Sequence, residues 1–500
     1  MADRENDSDL ARFGVIDIGS HTVRLVVFDG RTRSPAYFFN EKSTCALGAE
    51  VQVSGLLYPE GKAKALAQLK RFKALATAMG VENLKVVATA AIRDAKDGPA
   101  FAQQIKKEAG LDVRVISGGD EGRYAAMGVL LGEVMRDTLV VDIGGASMEL
   151  TTIKDSEIGE AKTTPLGPLR LGASGLSGEE LDAYIDDTLA QCWPKDSEGV
   201  KRVTLVGGGW RAFASLDMHR RAYPLHVLQG YEMSPQDALE TAAWVRTADE
   251  KKLSTAGLSK TRIANAPLTA QVLQRLIARA NPSALAISAY GLREGVLYEH
   301  LSEPLRASDP LLQSAAFMER NAARFPGFGE ELAAWLKPSF ADLPERMLMA
   351  ASYLADVNWR IHPDYRAQAC LVTATQANLG GLTHPERVFL AVALAYRYKG
   401  AKEALRAEPA AELLSDEDRL KAEGVGKALR LGAMISGAAP HILSECELMR
   451  GDKILSLSFK PAHAALMSGP VERRLASLAT TLKLTSELSE ITEQAMAVPH

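Results

Sequence analysis

The chain has 500 residues, of which 47% are hydrophobic and 24% are charged, and its net charge is only −4. This length predicts two to four domains, because one hydrophobic core seldom serves so many residues. The near balance of charge excludes the strongly basic surface of a typical nucleic-acid-binding protein. No apolar run approaches the roughly 20 residues of a membrane span, and residues 1–12 lack the features of a secretion signal, so we expect a cytoplasmic protein.

The cysteines agree with a reducing compartment. Cys45, Cys192, Cys370 and Cys446 lie far apart and without CxxC spacing. This usage predicts reduced core thiols rather than a disulfide framework or a zinc site.

Apolar periodicity predicts alternating strands and helices in the first part of the chain. We expect strands over 13–18, in a run ending at Phe28, over 84–88 and over 113–116, and helices over 61–79, over 99–109 and from near Asp120. Such alternation is typical of α/β layers.

The same pattern then restarts. We expect strands over 138–143, 147–153 and 203–206, and helices over 178–191 and from near Arg211. After Tyr298 the spacing is helical, except over 446–459, where two strand-like runs predict a hairpin. With a linker at 308–310, the expected domains are 1–136, 137–307 and a mainly helical 308–500.

Two short segments repeat one motif 125 residues apart. Val15-Ile16-Asp17-Ile18-Gly19-Ser20 and Val140-Val141-Asp142-Ile143-Gly144-Gly145 each run from an apolar strand through Asp-Ile-Gly into a second strand. A single copy is most simply an ordinary hairpin turn. Two copies in the same order favour a pair of phosphate-binding hairpins.

Elementary chemistry explains why such hairpins suit phosphate. Glycine leaves the backbone open to a ligand, and successive N–H groups at a turn form an anion-binding concavity. An aspartate beside phosphate needs a divalent cation between them, so Asp17 and Asp142 imply Mg²⁺ or a relative such as Mn²⁺. Hydroxyls of Ser20, Thr22 or Ser147 can add hydrogen bonds, and Glu149 can add a carboxylate to the metal.

Three further features admit two interpretations each. Gly207-Gly208-Gly209 is either an anion-binding start of a helix or a plain turn. Arg93 is either a bidentate phosphate ligand or an unrelated surface arginine. Glu121 is either a favourable charge at a helix N-terminus or a general base that activates water.

These segments, taken together, resemble the exopolyphosphatase/guanosine pentaphosphate phosphohydrolase (Ppx/GppA) family. The resemblance rests on residues 15–27, 89–93, 116–121, 141–149 and 290–298, and it covers about 12–300. It implies an α/β, actin-like duplicated two-domain fold, of the kind shared by sugar kinases, Hsp70 and actin, with a C-terminal all-helical domain similar to HD-type phosphohydrolases. It also implies Mg²⁺-dependent release of terminal phosphate from inorganic polyphosphate, or of the 5′ phosphate from pppGpp, by a cytoplasmic homodimer.

The resemblance assigns roles to particular residues. Glu121 is implied as the catalytic carboxylate, with Glu149 beside it, and Asp142 and Glu149 as the residues that organise metal and water. The implied substrate-binding residues are those of the two hairpins and three others: Asp17, Gly19, Ser20, His21, Thr22, Arg93, Gly144, Gly145, Ala146, Ser147, Gly208 and Gly209.

The chain departs from the family pattern in a few places. His21 and Thr22 replace Asn and Ser, Ala146 replaces Gly, and Met148 replaces a hydroxyl-bearing residue that can contact phosphate. Met148 therefore puts activity or substrate preference in question. In the C-terminal region Ala355 stands where an HD-type enzyme has a ligand histidine, and His362 and His384 each precede a proline and are interpreted as loop residues. A degenerate domain without a second metal site is expected there.

Several alternatives remain open at this stage. The protein can be a hydrolase of polyphosphate or of pppGpp, or an actin-like ATPase or sugar kinase with adenosine at 207–209. It can also be a non-catalytic sensor of polyphosphate, pppGpp or ppGpp. Two basic groups in the helical region are candidate polyphosphate contacts or, more simply, solvated helix faces: Arg387, Arg397, Lys399, Lys402 and Arg406 in one, and Lys421, Lys427 and Arg430 in the other.

Overall fold

A computed structural model describes residues 11–134 and 137–491. Residues 1–10, on which the expectation of no secretion signal partly rests, lie outside the described part. The chain divides into two compact units, an N-terminal unit (Met1–Pro310) and a C-terminal unit (Leu311–His500), which are described separately. None of the helices in the described ranges is both long and apolar enough to span a bilayer.

The first sheet of the N-terminal unit has five strands in the order β3-β2-β1-β4-β5. The strands are β1 Phe13–Ile18, β2 Thr22–Phe28, β3 Tyr37–Thr44, β4 Asn83–Ala88 and β5 Arg114–Val115. Its helices are α1 Val51–Ser54, α2 Pro59–Ala78, α3 Ala90–Asp94, α4 Gly98–Ala109 and α5 Gly118–Gly132. β1 pairs antiparallel with β2 and parallel with β4, so the carboxyl ends of β1 and β4 meet at one edge.

The second sheet has six strands in the order β10-β11-β9-β6-β7-β8. The strands are β6 Thr138–Ile143, β7 Met148–Lys154, β8 Glu157–Thr164, β9 Arg202–Val206, β10 Glu232–Met233 and β11 Ala284–Ile287. Its helices are α6 Pro168–Ala173, α7 Gly178–Cys192, α8 Gly208–Arg220, α9 Pro235–Thr247, α10 Glu250–Ser254, α11 Lys260–Ala280, α12 Leu292–Glu299 and α13 Glu303–Ala307.

The two sheets are built to one plan. Read from β3 and from β8, each begins with three antiparallel strands and continues with two parallel ones. The duplicated actin-like fold expected from the sequence is therefore confirmed, and it places the two Asp-Ile-Gly hairpins at equivalent corners of the two sheets.

Helices α5 and α12 pack with their backbones in contact. A Cβ atom at Gly128 would collide with the carbonyl of Gly291, and one at Gly295 would collide with the carbonyl of Tyr124. A Cβ atom at Gly132 would enter the ring of Tyr290. Only glycine permits this approach, so the pair of helices holds one fixed spacing.

The C-terminal unit is mainly helical but contains a sheet. Its helices are α14 Pro310–Ala322, α15 Phe328–Leu336, α16 Glu345–Leu354, α17 Arg366–Gln376, α18 His384–Tyr396, α19 Ala401–Arg406, α20 Asp416–Ser436 and α21 Gly469–Thr481. Its strands are β12 Cys446–Arg450, β13 Ile454–Phe459 and β14 Thr485–Glu490. The predicted hairpin of β12 and β13 is confirmed, and β14 adds a parallel strand to it. The expectation of an all-helical domain is wrong, because these three strands form a sheet.

The residues compared with an HD-type metal site have other partners. Arg324 donates to Asp356 over 2.6 Å, and Arg397 lies 3.7 Å from the same carboxylate. His362 is exposed, and its Nδ1 accepts a hydrogen bond from the Asp364 amide over 3.4 Å. His384 is buried and begins α18, so interpreting it as a loop residue was wrong.

The cysteines are free thiols at the described positions. Cys45, Cys370 and Cys446 are buried as predicted, whereas Cys192, the last residue of α7, is half-buried. Burial raises the pKa of the Cys370 thiol to about 11, so this thiol stays protonated at neutral pH.

Candidate active site

Both hairpins close in the same way. The amide of Gly19 donates to the carbonyl of Thr22 over 2.9 Å, and the amide of Gly144 donates to the carbonyl of Ser147 over 2.9 Å. The shared bond gives the two turns one geometry, which the repeated sequence predicted.

The tips of the hairpins expose amide donors rather than carbonyl acceptors. The carbonyl of Ser20 accepts from Gly48 over 2.8 Å, and that of Gly145 accepts from Leu169 over 2.9 Å. Within the described ranges no hydrogen bond engages the amides of Ser20, His21, Gly145 and Ala146. Unengaged amides at a turn attract anions, so each tip is suited to hold a phosphoryl oxygen.

The strand register gives the two hairpins different charges. Asp17 on β1 lies across from Arg24 on β2, whereas Asp142 on β6 lies across from Glu149 on β7. Arg293 also lies 3.5 Å from Asp17. The first hairpin thus carries arginines beside its aspartate, and the second carries a further carboxylate.

Arg93 and Glu121 form an ion pair. In the sequence both residues lie between the two hairpins. The Nη1 group of Arg93 donates to the Glu121 carboxylate and, over 3.2 Å, to the carbonyl of Ile116. Its Nε donates to Asp94 over 3.0 Å, and no hydrogen bond in the described ranges uses Nη2. Arg93 can therefore position Glu121 and still offer a donor to a phosphate.

The structure distinguishes the role of Glu121 from helix capping. Ser117 and the neighbouring Asp120 form the capping box of α5: the Ser117 hydroxyl accepts from the Asp120 amide over 3.1 Å, and the Ser117 amide donates to the Asp120 carboxylate over 3.1 Å. Asp120 thus satisfies the helix N-terminus. Glu121 is turned away toward Arg93, with a side chain only 12% exposed.

Burial and neighbouring carboxylates bring the pKa of Glu121 close to neutral pH. Desolvation raises the pKa of Glu121 to about 7 against the opposing effect of Arg93, and Asp142 and Asp17 raise it further. The pKa of Asp142 is raised to about 6, mainly by burial, against Arg211 and Arg293. A carboxylate with a pKa near 7 suits a general base.

Glu149 lies against helix α5. Its side chain is 2% exposed, and its Oε1 atom has no hydrogen-bond partner among the described residues. Burial raises its pKa well above the ordinary value, as do Glu121 and Asp142, while a hydrogen bond with Ser147 opposes this. A Cβ atom at Gly122 would lie 2.5 Å from Thr151 Oγ1 and 3.3 Å from Glu149 Cβ, so this glycine lets α5 reach β7.

The carboxylates of the second hairpin form a donor set that suits Mg²⁺ together with a phosphate substrate. Among the described residues no three His, Cys, Asp or Glu side chains are gathered closely enough to hold a metal alone. Mg²⁺ commonly uses one or two carboxylates together with water and substrate phosphates. The unpartnered Glu149 Oε1 and the mutual repulsion with Asp142 indicate a local shortage of positive charge, so this donor set fits the ion.

Met148 does not face the site. It is fully buried in the core of the second sheet, packed with Ile143 and Leu150. Its equivalent in the first hairpin is Val23, which is also fully buried. The interpretation that Met148 removes a phosphate contact was therefore wrong. Side chains alternate along β7, and that of Met148 points into the core.

The glycine run at 207–209 starts a helix earlier than expected. Helix α8 begins at Gly208 rather than near Arg211. Gly207 has φ 107°, and a Cβ atom there would lie 2.7 Å from the Asp142 carboxylate, so glycine is required for β9 to approach β6. Gly208 and Gly209 then present the first turn of the helix beside the second hairpin.

A cavity of about 290 Å³ opens beside this turn. Its walls include Gly145 of the second hairpin, Gly208 of the turn and His21 of the first hairpin, so both hairpins border one space. Helix α11 supplies polar side chains to it, including Arg262 and Asn265. The cavity is large enough for a small organic group attached to a phosphate at the second hairpin.

Four charged residues beside the two aspartates were not predicted as site residues. Arg24, Arg211, Arg293 and Glu294 all influence the charges of the two aspartates. Glu294 accepts from the Gly291 amide over 2.9 Å and from the Tyr37 hydroxyl over 3.0 Å, which anchors the start of α12. The segment 290–298 resembles the family, and its adjacent Arg293 and Glu294 were the available signal.

Two basic residues proposed as polyphosphate contacts are buried. Arg387 is 1% exposed and donates to the carbonyls of Ala374, Ala377 and Leu379, which end helix α17 and its following turn. Arg397 is 9% exposed and lies beside Asp356. These two assignments were wrong, because sequence spacing alone does not separate a buried arginine from a solvated one.

Comparison with known proteins agrees with this geometry. Residues 26–303 match the model of the Ppx/GppA phosphatase family, and residues 321–489 match that of the exopolyphosphatase C-terminal domain. Exopolyphosphatase 1 of Mycobacterium tuberculosis is 33% identical over 163 residues, which are 32% of this chain and 47% of that protein. The chain thus spans about half the length of the curated relatives that it matches in this way.

Two further similarities extend over more of the chain. Retrograde regulation protein 2 of Saccharomyces cerevisiae is 26% identical over 438 residues, which are 77% of this chain and 72% of that protein. The crystal structure of the Aquifex aeolicus Ppx/GppA family member covers 58% of this chain and 99% of its own, with 26% identity and a TM-score of 0.52. Since the family model covers more than half of the sequence, the chain belongs to the Ppx/GppA phosphatase family.

Proposed function

We propose that the protein is an exopolyphosphatase, which hydrolyses the terminal phosphoryl group of inorganic polyphosphate. The observation that carries this proposal is the Arg93–Glu121 pair, in which a buried carboxylate of pKa about 7 adjoins two hairpins with unengaged amides. The relatives named exopolyphosphatase support the choice of substrate.

The chain's own groups can hold a terminal phosphate from several sides. The amides of Ser20 and His21 and those of Gly145 and Ala146 offer donors at the two tips. Arg93 offers its Nη2 group. Backbone amides cost no reorganisation during the reaction, so they suit the charge that develops on the phosphoryl oxygens.

Glu121 would serve as the general base. A water molecule attacks the terminal phosphorus, its proton passes to the Glu121 carboxylate, and the bond to the bridging oxygen breaks. Orthophosphate and a chain shorter by one unit are the products. The ion pair with Arg93 fixes the direction of the carboxylate before substrate binds.

Asp142 and Glu149 would hold Mg²⁺ or Mn²⁺ in this scheme. The bound ion would offset charge on the phosphate oxygens. The buried Oε1 of Glu149 without a partner supports this assignment.

Product analysis tests the proposal. Long-chain polyphosphate, pppGpp and ATP are supplied separately, with Mg²⁺, to the wild type and to Glu121→Gln. Orthophosphate release from polyphosphate that depends on Glu121 is the expected result. Release from ATP alone, or undiminished release by the Glu121 variant, would overturn the proposal.

One observation favours pppGpp as a second candidate substrate. The cavity beside Gly145 and Gly208 lies where a nucleoside would project from phosphates held at the second hairpin. Arg262 and Asn265 on its wall can hydrogen-bond a base or ribose. Faster turnover of pppGpp than of polyphosphate at equal concentration would support this candidate over the first.

A further inference from the structure

A second concave site lies wholly within the C-terminal unit. It is a cavity of about 310 Å³ between the end of α18, the start of α19, the middle of α20 and helix α21. Its charged lining residues are Lys399, Lys402, Glu403, Lys427, Arg430 and Arg474. Residues from both basic groups recognised in the sequence thus line one cavity, and Arg474 joins them from α21, which is distant only in the sequence.

Most of this positive charge is not neutralised by the protein. Lys427 is paired with Glu423 over 2.8 Å and donates to Thr481 over 2.6 Å. By contrast, no ion pair or hydrogen bond within residues 11–134 and 137–491 engages the side chains of Lys399, Lys402, Arg430 or Arg474. Glu403 is the lining carboxylate, and it is solvent-exposed.

Arg430 shows what this arrangement costs. It is half-buried on α20 and faces other guanidinium groups rather than a carboxylate. Burial lowers its pKa to about 10, and the nearby charges of Arg474 and Arg397 add to this effect. A partly desolvated cation among like charges is unfavourable, and a bound anion relieves it.

The side chains indicate which anion suits the cavity. Two guanidinium groups can each form paired hydrogen bonds with a phosphoryl group, while lysines contribute mobile point charges. A monoanion would leave most of the charge uncompensated. We propose that this cavity is a binding site for a compact anion with two or three phosphoryl groups, separate from the candidate active site.

Two sources share this chemistry, namely a short inorganic polyphosphate and the phosphate chain of a nucleotide. The proposal does not depend on hydrolysis, since it concerns residues outside the reaction. Its failure is therefore distinguishable from a failure of the proposed function.

The test combines titration with site-resolved hydrogen exchange on the full chain. Tripolyphosphate, GTP and orthophosphate are each added at constant ionic strength. With tripolyphosphate or GTP, slower exchange is expected in peptides covering 396–403 and 427–430. Calorimetry of Arg430→Gln/Arg474→Gln is expected to show at least about tenfold weaker binding at this site, with that protection lost.

A matched control separates the site from general charge. Arg406→Gln removes an exposed arginine from the same region but outside the cavity, so it should keep the protection. Arg430→Lys keeps the positive charge, so it should retain part of the affinity even where the double variant unfolds the region. Tighter binding of tripolyphosphate identifies an inorganic chain as the source, and tighter binding of GTP identifies a nucleotide. Absence of protection in the wild type, equal affinity for orthophosphate, or unchanged binding by the double variant would refute the proposal.

Discussion

Arg24 and Glu149 occupy the same position in two copies of one hairpin, since each lies across from the aspartate of the preceding strand. Burial raises the pKa of Asp17, and Arg293 and Arg24 oppose that rise. Burial also raises the pKa of Glu149, but there Glu121 and Asp142 add to the rise. The duplication has therefore produced one hairpin with nearby cations and another with an excess of carboxylates, which calls for a cation.

Glu149→Gln tests that division. Without metal, the variant should be as stable as the wild type or more stable, because a buried carboxylate repelled by its neighbours is removed. Saturating Mg²⁺ should stabilise the wild type by about 2–3 kcal/mol at 100 times Kd, and the variant far less. Thermal unfolding with and without Mg²⁺ measures both effects. Glu157→Gln, an exposed change on the next strand, should leave the Mg²⁺ response intact.

Glu121→Gln should slow turnover by roughly 10²- to 10⁴-fold with little change in KM, because a general base is lost while phosphate contacts remain. Steady-state kinetics on polyphosphate measures this. The matched control is Asp120→Asn, one residue earlier. It weakens the capping box of α5, at a cost of about 1 kcal/mol in stability, but should keep turnover within a few-fold. Equal losses in the two variants would contradict the assignment.

The pH dependence follows from the pKa of Glu121, about 7. The base is active only when deprotonated, so kcat/KM without excess metal should rise through about pH 7 and then level off. Increasing Mg²⁺ should move this rise to lower pH, since a nearby cation favours the ionised form. A Glu121→Gln profile that keeps the same rise would assign the titration to another group.

The same groups set a pH dependence of stability. The folded-state pKa values of Glu121 and Asp142, about 7 and about 6, lie above those of ordinary carboxyls. Protonation therefore favours the folded state: the contribution is full below about pH 4 and is lost as the pH rises through 6 to 7. Metal-free Tm should fall between pH 5 and 8, and Mg²⁺ should reduce the fall. A metal-free Tm that rises over this range would contradict the expectation.

Gly122→Ala tests the close approach of α5 to β7. The added methyl group would lie 2.5 Å from Thr151 Oγ1, so the helix must shift, at a cost of about 1–3 kcal/mol and a loss of activity. Gly119→Ala lies in the same helix, and there the added Cβ atom would lie 3.8 Å from Ser117 Oγ. It should be neutral or stabilising by up to about 1 kcal/mol. Chemical denaturation and kinetics of the pair distinguish a packing effect from helix propensity.

Arg262→Ala separates the two candidate substrates. If pppGpp is bound with its nucleoside in the cavity beside Gly208, the variant should raise KM for pppGpp by roughly tenfold, while KM for polyphosphate stays unchanged. Parallel kinetics on both substrates provides the comparison. An equal rise for both would show that Arg262 contacts the phosphates instead.

Much of the fold could be predicted from the sequence, because the signals for single strands, helices and turns lie within a few neighbouring residues. Strand β6 follows from an apolar run bounded by turn residues, and both Asp-Ile-Gly hairpins follow from the repeat itself. The short edge strand β10 and the exposed strand β14 escaped because partners distant in sequence define them. For the same reason, local spacing predicted Glu121 but gave no hint that it pairs with Arg93.

Other misses came from alternation within strands. Met148 and Glu149 are neighbours, and in a pleated strand one must face the core and the other the cleft. A motif compared letter by letter gives both positions equal weight. Arg24 was overlooked for a similar reason, because a charged residue in an alternating strand is ordinarily interpreted as solvent-facing.

The glycine contacts between α5 and α12 bear on how such a protein can diversify over generations. Glu121 is carried by α5 and Arg293 by α12, and at three positions the glycines of this pair leave no space even for a methyl group. Substitutions between the helices cannot change the distance between these two side chains, because the glycines have no side chain to shorten and no room for a larger one. New substrate preferences are therefore expected to arise at the hairpin tips and in the cavity walls, while the spacing of the two helices is inherited unchanged.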